Sequence, residues 1–319
     1  VIALVSIILV SYETREATLE CLASIASAHR GVPIEVVVVD NASGDGSAAA
    51  IREAHPDTIV VEAGANLGFA RAVELGVAAS TGDAVLLLNP DTLLLPGSLQ
   101  RLVDFADANP AHGVYGGRTL RPDGTLDPSS CWGEPTLWSL ACFATGLSTA
   151  FRHSTLFDPE SLGRWRRDSV REVPVITGCL LLARRADWDR IGGMDERFFL
   201  YGEDAEFSSR ARRRGYRPVI VPDAVIVHEV GGSTSSKGRK MCMVMAGKAT
   251  LLRLTWRPAA AGLGVALLQA GAGLRAALEQ VTGTEPDWSI VWRRRADWRT
   301  GYPEAERTLF GLEASEVAA

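Results

Sequence analysis

The first hundred residues alternate short, continuous apolar runs with helical patterns, and no other feature of the chain narrows its fold so far. ALVSIILV (3–10), IEVVVV (34–39), residues 58–62 and AVLLL (84–88) read as strands. Between them 16–29, 47–54 and 69–80 read as helices, and another follows around 96–108; in the first, Leu19, Leu22 and Ile25 lie near one face. Strands that are apolar on both faces and joined by helical crossovers predict a mainly parallel sheet covered on both sides. In such a sheet the ligand crevice lies beyond the carboxyl ends of the strands. Those ends carry Ser11-Tyr12, Asp40-Asn41, Asn66 and Asn89-Pro90-Asp91.

The opening run lacks a basic flank and a small-residue cleavage site, and Tyr12-Glu13 ends it too early for a membrane span, so it reads as a buried strand. The chain does not begin with Met, and a few residues are expected to precede it. Its 319 residues can bury a large core, and a formal net charge of -5 disfavours a global nucleic-acid surface. Five scattered cysteines suggest neither a zinc site nor a disulfide framework, which points to a reducing, cytoplasmic compartment. No Gly-x-Gly-x-x-Gly and no Gly-x-x-x-x-Gly-Lys is present, which argues against a dinucleotide enzyme and a P-loop ATPase.

Further on, 112–130 suggest strands and turns, and 131–168 are less regular, with Arg164-Trp165-Arg166-Arg167 expected as a mobile surface loop. Residues 173–183 return to an apolar strand, 203–214 to a helix, and 217–221 and 224–228 to two short strands. A helical region rich in Ala, Leu and Met runs from about 240 to 280, and the polar tail beyond it is expected to be partly ordered. There Lys240, Lys248, Arg253 and Arg257 beside Met and Leu suit either an anionic membrane surface, at the inner face of a cell membrane, or packing on the main domain or on a second subunit in a homodimer. Pro258 argues against one long spanning helix. The expected division is a catalytic domain over 1–238, with halves 1–110 and 111–238, and a helical region with tail over 239–319.

Several residues carry possible chemistry. Asp40 ends an apolar strand and can accept from a base or ribose hydroxyl; equally, Asn41 to Ser47 can be an ordinary turn with Asp45 or Ser47 as a cap. Asp91 is a hard-oxygen ligand for Mg²⁺ or Mn²⁺ but needs a partner, for which His228, at the end of AVIVH, is better placed than Asp83. A lone histidine after a strand is also an ordinary packing residue. Glu203 and Asp204 open a helix: one can act as a general base while the other caps the helix or pairs with Arg210 or Arg213, and Asp204 is expected to be the base.

Taken in order, VSIILVSYETR, VVVVDNASGDGS, NLGFARAVELG, LLLNPDTLLLPGSL, TGCLLLARR, IGGMDERFFLYGEDAEFSSRARRRGY and VIVHEVGGS resemble the family-2 glycosyltransferases of the GT-A fold, particularly their bacterial rhamnosyltransferase-like branch. The resemblance spans roughly 3–235. It implies a Rossmann-like, mainly parallel sheet with a C-terminal helical extension, and inverting, metal-dependent transfer from a nucleoside-diphosphate sugar to a saccharide, lipid-linked glycan or natural-product hydroxyl. It implies that Ser11, Tyr12, Asp40, Asn41, Asn66, Gly68, Arg71, Asn89, Asp91 and Gly178 line the donor and acceptor cleft. Asp40 would read the base, Arg71 would lie near base or phosphates, and Gly178 would allow close approach of the acceptor. Asp91 and His228 would hold Mn²⁺ or Mg²⁺, and Asp204 would be the base, with Glu203 beside it. The branch favours dTDP-rhamnose, with UDP- or GDP-sugars as alternatives. Two departures stand out: Glu13 replaces a common Asn, and Arg71 replaces a small residue. A sugar-nucleotide nucleotidyltransferase and an inactive sugar-binding protein of the same fold are the rival readings.

Overall fold

The computed structural model describes residues 1–28, 31–228 and 236–310. In chain order the first elements are β1 (Val5–Ser11), α1 (Arg15–Ala28), β2 (Ile34–Asp40), α2 (Ser47–Ala54), β3 (Ile59–Glu62), α3 (Phe69–Ala78), β4 (Ala84–Leu88), β5 (Thr92–Leu94), α4 (Ser98–Ala108) and β6 (Val114–Leu120). After them come β7 (Cys131–Trp132), α5 (Leu137–Ala144), α6 (Leu147–Ala150), β8 (Arg171–Glu172), β9 (Val175–Ile176), β10 (Leu180–Arg184), α7 (Arg185–Ile191), α8 (Glu203–Arg213) and β11 (Val219–His228). The chain continues through α9 (Lys237–Thr255), α10 (Pro258–Thr282), α11 (Asp287–Arg293), α12 (Arg295–Trp298) and α13 (Glu304–Phe310).

Two compact units result. The first comprises 1–132, 166–195 and 204–233, the second 133–165, 196–203 and 234–319. The first is built on a mixed sheet ordered β3-β2-β1-β4-β10-β6-β11-β5, with β8 paired to β11. Its parallel half is the one the apolar runs predict: β1 lies between β2 and β4, parallel to both, and is almost wholly buried. Helices α1 and α4 place Leu22, Ile25, Leu99, Leu102 and Val103 in the same core as Ile7, Leu9 and Leu86.

Beyond β4 the direction reverses. Strand β10 is antiparallel to both β4 and β6, β11 is parallel to β6, and β5 is antiparallel to β11. One edge of the sheet therefore collects the carboxyl ends of β1, β2, β4, β6 and β11 and the amino ends of β5 and β10. This sequence of directions places Ser11, Asp40, Asn89, Asp91, Cys179 and His228 on one rim.

Three local expectations are corrected. Residues 219–228 form one strand, β11, whose register shifts between Ile220 and Val225, where two strands, 217–221 and 224–228, were expected. The apolar run 173–183 is split between β9, which pairs with β7, and β10. Arg167 is 1% exposed, so the basic segment 164–167 is not a surface loop throughout: the Arg167 guanidinium is drawn to Cys131, while Arg164 and Arg166 stay exposed. The last residues of the final motif, Glu229 to Ser233, lie outside the described residues.

The second unit is helical. Thr136 and Ser139 form a reciprocal cap on α5. Pro258 opens α10, where a missing N–H costs nothing, and so divides the 240–280 region into two helices. In α9, Met243, Met245, Ala246 and Ala249 are buried, and Lys248 pairs with Glu160 at 2.6 Å.

Candidate functional site

The rim begins with a hydrogen-bonded loop layer over β1, β2 and α3. Asn41 Nδ2 donates to Asn66 Oδ1 (3.0 Å) and to the Gly68 carbonyl (3.1 Å), and Leu67 N–H returns a bond to Asn41 Oδ1 (2.9 Å). Both amides thus shape the 66–68 turn, in which Gly68 has φ 78, a backbone region that favours glycine. Arg71 follows on the first turn of α3. Ser11 is fully buried, its hydroxyl meeting those of Thr14 and Thr18, both at 3.1 Å, so it supports the loop from below while Tyr12 is exposed above. Glu13 resolves the departure noted above: its carboxylate accepts Gly44 N–H at 2.7 Å and fastens the β1 loop to the β2 loop. Asp45 accepts from Arg15 N–H and Ser47 N–H, both at 3.0 Å, so the turn reading of 41–47 also holds. Asp40 is 4% exposed; its Oδ2 accepts Ser43 N–H at 3.3 Å, and its Oδ1 meets no partner among the described residues. A buried carboxylate oxygen without a donor is costly, which suits a group that awaits a ligand N–H or O–H.

The second layer holds the acids and the imidazole. The β5–β11 pairing sets His228 opposite Thr92, next to Asp91. His228 Nε2 lies 3.2 Å from Asp91 Oδ2, and Nδ1 lies 3.3 Å from Asp127 Oδ2. Burial disfavours the imidazolium, yet its bonds to Asp127 and Asp91 prevail and raise it to about 9. Burial works against the Asp127 carboxylate too, and His228 and the Ser129 N–H, at 2.9 Å, hold it below the usual range. Asp127 is a site residue that sequence reasoning missed. Its one signal was Asp-Pro at the start of a short helical turn, which it caps.

Asn89 Nδ2 reaches Cys179 Sγ at 3.3 Å, and Asn89 N–H donates to the Cys179 carbonyl at 3.3 Å. Burial pushes the Cys179 thiol up to about 12, a bond to Thr177 opposes this, and the charges of Asp91, Asp204 and Asp127 add to it. Three carboxylates from distant parts of the chain thus act on one sulfur atom. Asp204 is half-buried; burial lifts its carboxyl to about 6, against N–H donors from Ala205 (2.7 Å), Gly178 and its own backbone. A Cβ on Gly178 would stand 3.0 Å from Phe69 Cζ, so the small residue lets the α3 ring settle on it while its N–H holds Asp204. Glu203 is buried and grouped with the second unit, where its charge is felt by Tyr302. The ion-pair partner of Arg210 is Glu206, at 2.7 Å.

A divalent ion must find its donors in this geometry. Among the described residues no group of three or more His, Cys, Asp and Glu side chains could hold a metal ion. Asp91 Oδ2 and His228 Nε2 nevertheless face one another, and the other imidazole nitrogen is fixed by a carboxylate. An oxygen and a nitrogen donor with a supported histidine fit an ion that takes its remaining ligands from phosphate oxygens and water.

A mixed α/β sheet with flanking helices and a C-terminal helical extension is consistent with the GT-A fold, and comparisons with known proteins give the family. Residues 6–173 match the model of glycosyl transferase family 2, and 168–230 match that of the N-terminal domain of galactosyltransferase. The chain belongs to glycosyl transferase family 2. It is 32% identical over 221 residues to an N-acetylglucosaminyl-diphospho-decaprenol L-rhamnosyltransferase of Mycobacterium tuberculosis, covering 63% of this chain and 68% of that one. It is 26% identical over 214 residues to a low-salt glycan biosynthesis hexosyltransferase of Haloferax volcanii, covering 65% and 61%. Among solved structures, a mannosyltransferase from Pyrobaculum calidifontis in complex with GDP-Man and Mn²⁺ shares the fold, with a TM-score of 0.56, 21% identity and coverage of 97% and 88%.

Proposed function

We propose that this glycosyltransferase performs inverting transfer of a hexose, with rhamnose from dTDP-rhamnose favoured, to a hydroxyl of a lipid-diphosphate-linked glycan. The observation that carries the chemistry is the gathering of Asp91, the His228–Asp127 pair and Asp204 around Cys179. The choice of sugar and acceptor follows the name of the mycobacterial relative.

Asp40, with one carboxylate oxygen still lacking a donor, would accept from the nucleobase at the end of β2. The 66–68 turn and Arg71 would lie along the nucleotide. Asp91 and His228 would hold Mn²⁺ or Mg²⁺, whose charge, when bound, offsets the charge that gathers on a departing diphosphate. Asp127 would keep the His228 ring oriented and its Nε2 directed at Asp91. Asp204 would take the proton of the acceptor hydroxyl as that oxygen attacks the anomeric carbon. The bond from that carbon to the diphosphate breaks on the opposite face, so the configuration inverts. A carboxyl near 6 is ionised at neutral pH yet more basic than an ordinary aspartate, which suits the task.

Release of nucleoside diphosphate from dTDP-rhamnose in the presence of acceptor tests this reading. Asp204→Asn should lower turnover by about 10²–10⁴ while calorimetry finds nucleotide binding intact. Turnover near wild type in that variant would remove Asp204 from the mechanism, and Glu203→Gln run beside it reports on the neighbour.

A further inference from the structure

Helix α10 carries its charge on the wrong side for a surface helix. Its two ionisable side chains face the protein. Arg275 donates to the Phe143 carbonyl and to Thr149 Oγ1, both at 2.7 Å, and lies 4.0 Å from the Phe143 ring centroid. Glu279 caps α11, accepting Trp288 N–H at 2.7 Å and Ser289 N–H at 2.8 Å. The opposite face is apolar: Leu263, Leu267, Leu274, Leu278 and Val281 follow one another at intervals of four, seven, four and three residues, with Ala270 filling the longest gap, the helical spacing of a single stripe. Leu263 and Leu278 are each 52% exposed, Leu274 36% and Val281 84%. The patch continues at Phe151, exposed just after α6, whose Ser148 and Thr149 meet Arg275. Among the described residues α10 is also the one helix long and apolar enough to cross a membrane. Its inner face, however, is packed on α5, α9 and α11, as where Gly271 meets Phe143, so it lies along the unit rather than standing free.

Charge decides what covers this stripe. Although the whole chain is net negative, residues 237–299 hold eleven Lys and Arg against four Asp and Glu. Arg257 is exposed at the start of α10, Arg152 beside Phe151, and Arg295 stacks on the exposed Trp292 at 4.2 Å, with that ring against Gly273 of α10. Two copies meeting here would bring like charges together, whereas an anionic lipid surface attracts them. A tryptophan capped by arginine at the border of an apolar stripe suits the headgroup layer. We infer that the Leu263–Val281 face of α10 lies flat in an anionic membrane surface, with its leucines at the boundary of headgroups and acyl chains.

Sedimentation of the full chain with phospholipid vesicles tests this inference without catalysis, so its failure and that of the proposed reaction are separable. The chain should sediment with vesicles containing about 30% anionic lipid and be released from neutral ones, and binding should weaken as salt rises from about 0.1 M to about 0.5 M. Leu263→Gln/Leu274→Gln/Leu278→Gln should lower partitioning by more than about tenfold with melting temperature and nucleotide binding unchanged. Arg257→Gln/Arg295→Gln should reduce the preference for anionic lipid. Equal binding by the triple variant, no sedimentation of wild type with any vesicle, or a wild-type dimer in solution that the triple variant breaks without any lipid binding would each overturn it.

Discussion

As the proposed base, Asp204 would join activity to stability through one carboxyl. A base must be ionised, so kcat/KM should rise with pH through about 6 and fall on the acid side of it. Folding responds in the opposite sense. The folded-state value lies above the ordinary 3.8, so the folded chain holds that proton more tightly; the associated stability is complete below 3.8 and is lost as pH rises through about 6. Asp204→Asn, which imitates the protonated form, should therefore melt a few degrees higher than wild type near pH 7.5, with the gap closing toward pH 4; a gap that widened on acidification would contradict the burial argument. Asp127 makes a separate prediction. Asp127→Asn leaves the His228 ring without its charged support and should weaken Mn²⁺ affinity by about 10–100-fold in calorimetry, with the fold retained. The sequence itself supported Asp91, His228 and Asp204, because each stands in a motif at an element boundary. It did not disclose Asp127, which lies 101 residues from its histidine in a stretch, RPDGTLDPSS, that reads as a plain turn.

Elements were legible where local pattern and long-range pairing agree. The runs that became β1, β2 and β4 are apolar on nearly every residue, with Ser6 and Glu35 the interior exceptions and Ser11 and Asp40 at the carboxyl ends, as suits strands covered on two faces. Direction was legible only in the half where helical crossovers imply parallel neighbours; beyond β4 no periodicity distinguishes a parallel neighbour from an antiparallel one. Strand β5, three residues long after Asn-Pro-Asp, is too short to show a period, yet its pairing with β11 brings His228 to Asp91. Close packing of α3 on the sheet offers a test. A Cβ at Gly76 would lie 2.7 Å from Ile8 Cγ2 and 3.0 Å from Val39 Cγ2, branch methyls of buried strands. Gly76→Ala gains about 1 kcal/mol of helix propensity but faces an overpacking cost of about 1–3 kcal/mol. The expected net is a loss of stability read as a lower denaturation midpoint; a higher midpoint would mean that α3 can withdraw from β1 and β2.

The molecule as a whole should announce its donor through stability. A ligand selective for the folded state at 100 times its Kd adds about 2.7 kcal/mol, several degrees in melting temperature. Screening dTDP, UDP and GDP with and without Mn²⁺ should give the largest rise for dTDP with Mn²⁺; an equal rise for all three would remove base selection by Asp40. The second unit was the least legible part of the sequence, since an Ala- and Leu-rich helix reads alike whether its apolar face turns inward or outward. The cysteines carry a practical consequence. All five are raised by burial, so reactive thiolate is scarce near neutrality throughout the native chain. The wild-type protein should therefore react slowly with maleimide near neutrality, so that a single thiol introduced at the exposed Val281 would carry a fluorophore with no native cysteine removed.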